Sequence, residues 1–150
     1  MQAKRGFTLV EILIVVVILG ILAAIVIPQF TQASTEAKQN SLCSDLQTLR
    51  SQIELYKVQH NDVAPTFANF TNQMVYTSDA AGNTTTSKSR DATHGFGPYL
   101  ERVPENPFNN FATLVDITDP CDAGSGTAGW AYVEETGEIR ADDSAAHAAF

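Results

Sequence analysis

The sequence has few basic residues and few cysteines. Its 150 residues contain 9 Lys and Arg against 17 Asp and Glu, and the formal net charge is −8. Such an acidic chain lacks the clustered positive charge that binding to nucleic acid phosphates requires, so we expect no nucleic acid partner. The two cysteines, Cys43 and Cys121, match no zinc-binding spacing and allow at most one disulfide within the chain. We predict that these two residues lie near one another.

A recognisable catalytic constellation is also missing. The three histidines, His60, His94 and His147, have no serine or cysteine nucleophile beside them in a known motif, and we interpret them as exposed loop or tail residues. The glycine-rich segment 124–129 is followed by no lysine and does not open a helix, so it is a flexible turn rather than a phosphate cradle. The sequence therefore predicts a protein that is not an enzyme.

The apolar residues are concentrated in one long run, residues 7–27. A helix of this length, with a rise of about 1.5 Å per residue, spans roughly 30 Å, which is the thickness of the hydrocarbon core of a bilayer. The run is interrupted only by Thr8, Glu11 and Gly20. Because Lys4 and Arg5 precede it, the positive-inside rule places the amino terminus in the cytoplasm.

An ordinary secretory signal peptide is the alternative interpretation of this start. Two features count against it. The apolar run continues past the small residues Ala23 and Ala24, and so exceeds the usual h-region of roughly 7–15 residues. The run also carries the carboxylate of Glu11, and ionisable groups within a membrane segment are costly and usually functional.

Segment 4–11, with two basic residues, Gly6, Phe7 and Glu11 in register, resembles the processing site of type IV prepilins and type II secretion pseudopilins. In that family a prepilin peptidase of the membrane cuts after the glycine and methylates the new amino terminus. The resemblance implies a cut between Gly6 and Phe7, which removes residues 1–6 as a leader. We further expect Glu11 to take part in filament assembly, paired with the Phe7 ammonium of a neighbouring subunit. The alternative is local, in which the Glu11 charge stabilises the amino terminus of its own helix and the freed ammonium of its own chain.

The helix is predicted to continue beyond the membrane segment. The resemblance extends through Gly20 and Pro28, where such helices loosen or bend, and Pro28 lacks a backbone N–H and should kink or locally break the helix. We therefore predict a transmembrane helix over residues 7–28 and an amphipathic continuation over residues 29–60. One apolar stripe repeats at helical spacing, formed by Leu42, Leu46, Leu49, Ile53 and Tyr56. This stripe should dock on the protein's own core, because it is shorter than a coiled coil requires.

Residues 61–150 are predicted to form a globular domain. A short helix is expected from Thr66 to Tyr76, an exposed loop over residues 77–97, and a frayed tail over residues 142–150. Segment 97–108 is similar to the major pseudopilin of type II secretion, and its prolines form an elbow with apolar anchors. Strands are predicted over residues 111–117, 130–133 and 138–140, the last two forming a hairpin. The fold class is α+β, a long helix kinked near Pro28 and packed on a small antiparallel sheet.

A calcium site is the one metal hypothesis that the sequence supports. Asp116, Asp119 and Asp122 could supply hard oxygen ligands on a loop before the hairpin. The major pseudopilins that this chain resembles often bind calcium near the carboxyl end. The present sequence departs from their pattern, because Pro120 and Cys121 separate the aspartates.

The resemblance implies a single-pass inner-membrane protein with a periplasmic domain, which assembles with copies of itself into a helical filament. Its implied partners are the prepilin peptidase, minor pseudopilins, an inner-membrane platform protein and an assembly ATPase. The growing filament would push folded proteins through an outer-membrane pore. Two alternatives remain: a type IV pilin for adhesion, motility or DNA uptake, and a membrane-anchored periplasmic enzyme or binding module. The last would need a convergent polar pocket.

Overall fold

The computed structural model describes residues 7–150 and begins with one long helix. Helix α1 extends over Leu9–Gln59, a length of 51 residues with Pro28 inside it. The helix is assigned without interruption at Gly20 and at Pro28, so the predicted local break is absent from this described stretch. The bend predicted at these two residues stays a prediction. Contacts between Cα atoms divide the chain into two units, the first up to Ala37 and the second over Lys38–Phe150.

The first unit is helical and its apolar side chains are exposed. From Phe7 to Phe30 every large apolar residue is exposed, and the least exposed, Val26, still shows 48% of its surface. The mean hydropathy of the most apolar 18-residue window of α1 is 3.3, so this helix is long and apolar enough to cross a membrane. The structure therefore agrees with the membrane segment that the sequence predicts.

The second unit contains the hydrophobic core. The predicted stripe of α1 is confirmed, since Leu42, Leu46, Leu49, Ile53 and Tyr56 are all buried. They pack with buried residues of the carboxyl-terminal half, which are Tyr99, Leu100, Val103, Trp130, Tyr132, Ile139 and Ala141. Of the apolar anchors predicted for the elbow, Tyr99, Leu100 and Val103 are among them, and Phe108 is partly buried against the same cluster. Truncating a buried leucine of such a core to alanine costs about 2–5 kcal/mol, so this stripe holds α1 to its unit.

A three-stranded sheet covers the core, in the order β1-β2-β3. Its strands are β1 (Leu114–Asp116), β2 (Trp130–Val133) and β3 (Glu138–Ala141). The predicted hairpin is confirmed, because β2 and β3 pair antiparallel with Trp130 opposite Ala141. The prediction of a wholly antiparallel sheet is wrong, because β1 pairs parallel to β2 with Leu114 opposite Trp130. The connection over residues 117–129 is long enough to return the chain to the same end of the sheet, which parallel pairing requires.

The two faces of the sheet have different neighbours. Trp130 and Tyr132 of β2 join the cluster that contains the stripe of α1. Ala131, which points to the other face because side chains alternate along a strand, joins a smaller cluster with Ala123 and Ala148. The 117–129 connection and the end of the chain therefore cover the face of the sheet that lies away from α1.

Two loop predictions need correction. The tail is not frayed, because Ala148 is buried, the Arg50 guanidinium donates to the Phe150 carbonyl oxygen, and Arg140 donates to the Ala148 carbonyl oxygen. The segment 77–97 is anchored rather than wholly exposed, since Ser78 is buried and bridges to Thr84 and Phe96. The short helix is confirmed as α2 (Phe70–Val75), preceded by a 3₁₀ turn over Phe67–Asn69.

We expect the chain that begins at Gln29 to fold as a soluble domain, because the buried core lies after Lys38 and the long apolar run lies before Pro28. Circular dichroism should show a cooperative thermal melt, and gel filtration should show a discrete species. The chain that begins at Phe7 is the matched control and should require detergent. Aggregation of the shorter chain without a cooperative melt would contradict this expectation.

Candidate assembly site at the start of the long helix

The first turn of α1 is closed by three reciprocal hydrogen bonds between Thr8 and Glu11. The backbone N–H and the hydroxyl of Thr8 both donate to Glu11 Oε2, each at 2.7 Å. In return, the backbone N–H of Glu11 donates to Thr8 Oγ1 at 3.2 Å. This is a capping box, in which Thr8 is the N-cap and Glu11 stands three residues later. The Thr-x-x-Glu spacing is visible in the sequence, and our sequence reasoning missed it.

The capping box leaves part of the Glu11 carboxylate available. All of its hydrogen bonds within residues 7–150 are accepted by Oε2, and none reaches Oε1. Glu11 also lies among exposed apolar side chains. When water is removed from such surroundings, an ionised carboxylate needs a further hydrogen-bond donor or an opposite charge to offset the free energy of its lost hydration. The bonds to Thr8 therefore explain why the helix begins here, and they leave Glu11 Oε1 able to accept a hydrogen bond from a second donor.

The predicted cut lies at the edge of the described structure. Gly6 falls outside the described residues, so the cleavage point between Gly6 and Phe7 stays a prediction. Phe7 precedes α1, and 83% of its surface is exposed.

Gly20 and Pro28, where the sequence predicts a bend, both lie inside α1. A Cβ added at Gly20 would meet nothing within 4 Å, so no close approach in the described chain requires glycine there.

The three aspartates of the calcium hypothesis are not brought together. Asp116 ends β1, and Asp119 accepts a hydrogen bond from the backbone N–H of Cys121 at 2.8 Å, capping the 3₁₀ turn Pro120–Asp122. This backbone bond and the one from the Cys121 side chain hold the pKa of the Asp119 carboxyl below its usual range. Over residues 7–150, no group of three or more His, Cys, Asp or Glu side chains is placed to hold a metal ion. Calcium can also take backbone carbonyl oxygens and water as ligands, so the calcium site stays a prediction.

The carboxylate that organises this loop is Asp142, which our sequence reasoning placed in a frayed tail. Asp142 is fully buried. Its Oδ1 accepts from the backbone N–H groups of Gly124 and Ser125, both at 2.9 Å, and its Oδ2 accepts from those of Thr127 and Ala128 at 3.1 and 3.0 Å. The Ser125 hydroxyl adds a further bond at 2.8 Å. Asp142 therefore fixes the glycine-rich segment to the end of β3.

The electrostatics of Asp142 follow from these donors. Burial alone would raise the pKa of its carboxyl, but the hydrogen bonds from the Ser125 side chain and from the backbone N–H groups of Ala128, Ser125 and Gly124 outweigh burial and lower the pKa. A carboxylate surrounded by several N–H donors is stabilised in its ionised form. Asp142 is thus a charged anchor of the loop.

Both cysteines are free thiols, and each is exposed. Cys43 lies on α1, whereas Cys121 lies in the 3₁₀ turn next to Ala123, whose cluster packs on the sheet face away from α1. A disulfide needs Cα atoms within about 7 Å, and the sheet stands between the two elements. In the structure Cys43 and Cys121 are not bonded to each other.

The prediction that the histidines are exposed is wrong for His60 and His147. His60 is only 3% exposed, stacks on Tyr56 with ring centroids 3.8 Å apart, and shares a hydrogen bond with Ser78 Oγ. His147 is largely buried and its Nδ1 bonds to Asp143 Oδ2. His94 is half-buried on its loop beside Asp91. Each ring thus has a local structural partner.

One groove of the second unit is lined mainly by apolar side chains. It has a volume of about 520 Å³, lies beside β1, and is lined by Phe67, Phe70, Val103 and Leu114, among others. The groove has no titratable side chain in its lining. It therefore differs from the convergent polar pocket that the enzyme alternative requires.

Comparison with known proteins points to one family. A family profile described as "Prokaryotic N-terminal methylation motif" matches residues 1–27. The chain is 33% identical over 112 residues to the type II secretion system core protein G of Aeromonas hydrophila, covering 73% of each chain. It is 32% identical over 110 residues to the protein of that name from Klebsiella pneumoniae, again covering 73% of each. With the Escherichia coli K12 protein of that name it shares 31% identity over 113 residues, which is 75% of this chain and 72% of the relative.

The search of solved structures found no significant match.

Proposed function

The chain belongs to the family of the type II secretion system core protein G, and from this premise we propose that it is a structural subunit of the secretion pseudopilus. The subunit is processed by a prepilin peptidase and assembles into a helical filament that drives export of folded proteins across the outer membrane. The single observation that carries this proposal is the match of residues 1–27 to the methylation motif, on a chain whose similarity to core protein G extends over 73% of its length.

The exposed apolar surface of α1 supports both a membrane stage and a filament stage. A run of exposed Ile, Leu and Val side chains is unstable in water, so it needs lipid before assembly and other copies of the helix afterwards. Before assembly the subunit crosses the inner membrane once, with its amino terminus in the cytoplasm and its globular domain in the periplasm. Lys4 and Arg5 support this orientation.

Assembly of this kind needs a heterologous, head-to-tail interface, because such interfaces generate open helical filaments from identical subunits. The proposed partners are further copies of the chain, minor pseudopilins, the inner-membrane platform protein and its assembly ATPase. The subunit's role is mechanical. Energy for extension comes from the ATPase, and we propose no reaction catalysed by the subunit itself.

A surface type IV pilin is the rival within the same class of filament proteins. Many such pilins close a carboxyl-terminal loop with two neighbouring cysteines, whereas here Cys43 and Cys121 are free and lie on different elements. The similarity to core protein G over most of the chain also favours the pseudopilus.

The mature chain is expected to begin at Phe7 with a methylated amine, because Gly6, Phe7 and Glu11 stand in the register of the methylation motif. Intact mass spectrometry of the membrane-extracted protein measures this directly. As a control, Gly6→Leu should keep residues 1–6 attached. A wild-type chain that starts at Met1, or after Ala24, would contradict the proposed function.

A further inference from the structure

One edge of the sheet has backbone groups without a partner strand. Strand β1 lies at the edge of the sheet, next to β2. The Thr113 carbonyl oxygen and the Ile117 N–H both bond to β2, at 3.2 and 3.0 Å. Because the backbone groups of successive residues point to opposite sides of a strand, those of Leu114 and Asp116 point away from β2. Within residues 7–150, no hydrogen bond reaches the backbone of Leu114 or Asp116 on that side.

The opposite edge of the sheet, at β3, is covered. The Arg50 guanidinium of α1 donates to the outward carbonyl oxygen of Ile139 from Nε and from Nη2, at 3.3 and 3.1 Å. Proteins usually cover or charge their strand edges, because an uncovered edge pairs with strands of other chains. The uncovered edge of β1 therefore marks it as a surface where an extended segment can pair.

An apolar groove lies beside the β1 edge. It is the groove of about 520 Å³ described above, lined by Phe67 and Phe70 of one segment and by Ala112 and Leu114 of another. Phe67, Ala112 and Leu114 are only half-buried, so apolar surface remains open to a ligand. Side chains of paired residues lie on the same face of a sheet, so a residue paired with Leu114 points toward this groove. That position selects an apolar side chain.

The other end of the β1 edge is acidic. Asp116 is exposed, and it lines a smaller cleft together with Glu134 and Glu135, which are also exposed. None of these three carboxylates forms an ion pair within residues 7–150. A residue paired with Asp116 lies two positions from the residue paired with Leu114, on the same face. Opposite charges on paired residues stabilise a sheet, so this position selects Lys or Arg.

We propose that the β1 edge binds an extended segment of a different protein, which adds to the three-stranded sheet as a further strand. The segment carries an apolar residue and a basic residue two positions apart, which contact Leu114 and Asp116. Backbone hydrogen bonds to the edge supply affinity, and the two side chains supply specificity. The surface belongs to the second unit and uses no residue of the apolar segment of α1.

A second copy of this chain is a poor occupant of the β1 edge. Antiparallel pairing of two β1 strands about Val115 sets each Asp116 carboxylate beside the partner's Leu114, where burial of an unpaired charge is costly. The other strand edge of a copy is covered by Arg50. Copies also repel each other because the net charge is −8, whereas the same charge attracts a basic partner.

Amide hydrogen exchange, measured by NMR on the full chain in detergent micelles, tests the proposal. The probes are the synthetic peptide acetyl-TITITRTRS-amide and its reverse sequence, because an edge strand can pair in either direction. We expect at least one probe to slow exchange of the Leu114 and Asp116 amide hydrogens at least tenfold. Exchange at Val115, whose amide faces β2, should not change. The same peptide with every backbone nitrogen methylated keeps its side chains but lacks N–H donors, and it should have no effect.

The exchange rates also decide between strand addition and other kinds of binding. Unchanged exchange at Leu114 and Asp116 with both probes would overturn the proposal. Equal slowing by the methylated peptide would overturn strand pairing. If exchange at these two residues slows as the concentration of the chain alone is raised, a second copy is the occupant and the proposed partner is wrong.

Reversal of the charge at Asp116 tests the chemistry of the partner. Asp116→Lys should weaken binding of the fluorescently labelled probe at least tenfold, measured by anisotropy, and should strengthen binding of a probe that carries glutamate in place of both arginines. Glu54→Lys, on α1 beside β3, makes the same change of charge and should leave both affinities within twofold. Because Asp116 is exposed, the melting temperature of Asp116→Lys should stay close to that of the wild type. Unchanged affinity of Asp116→Lys for both probes would rule out a basic partner.

Discussion

Glu11→Leu is expected to give a subunit that is processed and stably inserted in the membrane but fails to join filaments. A charged residue such as Asp costs about 2.5–3.5 kcal/mol at the centre of a membrane, and less near an end, so replacement by leucine removes a cost and should leave insertion intact or improved. The filament is different, because there the carboxylate can pair with the Phe7 ammonium of a neighbouring copy. We expect at least a tenfold loss of filaments, measured by shearing and by microscopy.

The capping box makes a matched control possible. Thr8→Val removes the hydroxyl that donates to Glu11 Oε2 and accepts from the Glu11 N–H, and it costs about 1 kcal/mol of helix stability. It leaves the carboxylate and its bond from the backbone N–H of residue 8 in place. If Glu11 acted only as a helix cap, this loss of the cap hydroxyl would impair assembly as well. We expect Thr8→Val to assemble and Glu11→Gln to fail, because the intersubunit partner requires the charge. Normal filament yield from Glu11→Leu would overturn the intersubunit role.

Asp142→Asn is expected to lower the free energy of unfolding of the globular domain by about 3 kcal/mol. The amide nitrogen of asparagine cannot accept, so it would face backbone N–H groups that Asp142 now satisfies on both oxygens. Two buried donors would then be left unpaired. The melting temperature of the chain that begins at Gln29 should fall by about 10 °C. Asp119→Asn is the control, since this exposed carboxylate caps a single short turn, and it should cause little change.

The stability of the domain should also depend on pH through Asp142. Its pKa is lower in the folded than in the unfolded chain, so the ionised carboxylate stabilises the fold above the unfolded pKa. This stabilisation is lost as the pH falls from the pKa of Asp142 in the unfolded chain, about 4, through its lower pKa in the folded chain. The loss therefore occurs below about pH 4. Chemical denaturation should show that the free energy of unfolding of the wild type falls with pH in this range. The free energy of unfolding of Asp142→Asn should fall less over the same range. Parallel curves for the two proteins would contradict the role of the charge.

The features that the sequence predicts correctly depend on residues that are close together along the chain. Leu42 to Tyr56 repeat at helical spacing, and the buried stripe of α1 follows directly. The apolar run Trp130–Val133, followed by a turn and a second short run, is enough for the hairpin. The processing motif is a short contiguous segment, which a resemblance can detect.

The features that it missed depend on contacts between distant segments. Asp142 meets Gly124 and Ala128 only because the long connection returns beside β3, and that same connection makes β1 parallel. Residue type alone predicts that Cys43 and Cys121 lie near one another, but it does not show that they belong to α1 and to the 3₁₀ turn Pro120–Asp122. Residue type alone also does not show that Asp119 caps the backbone of the 3₁₀ turn.

The central claim is that this chain is a pseudopilus subunit of type II secretion, and deletion of its gene tests that claim most directly. The measurement is the amount of exported protein in the periplasm and in the medium of the host that carries the gene, with and without a plasmid copy. We predict that folded exoproteins accumulate in the periplasm of the deletion strain and that the plasmid restores their release. Normal release of exoproteins together with loss of surface fibres would contradict the account and identify the chain as a surface pilin.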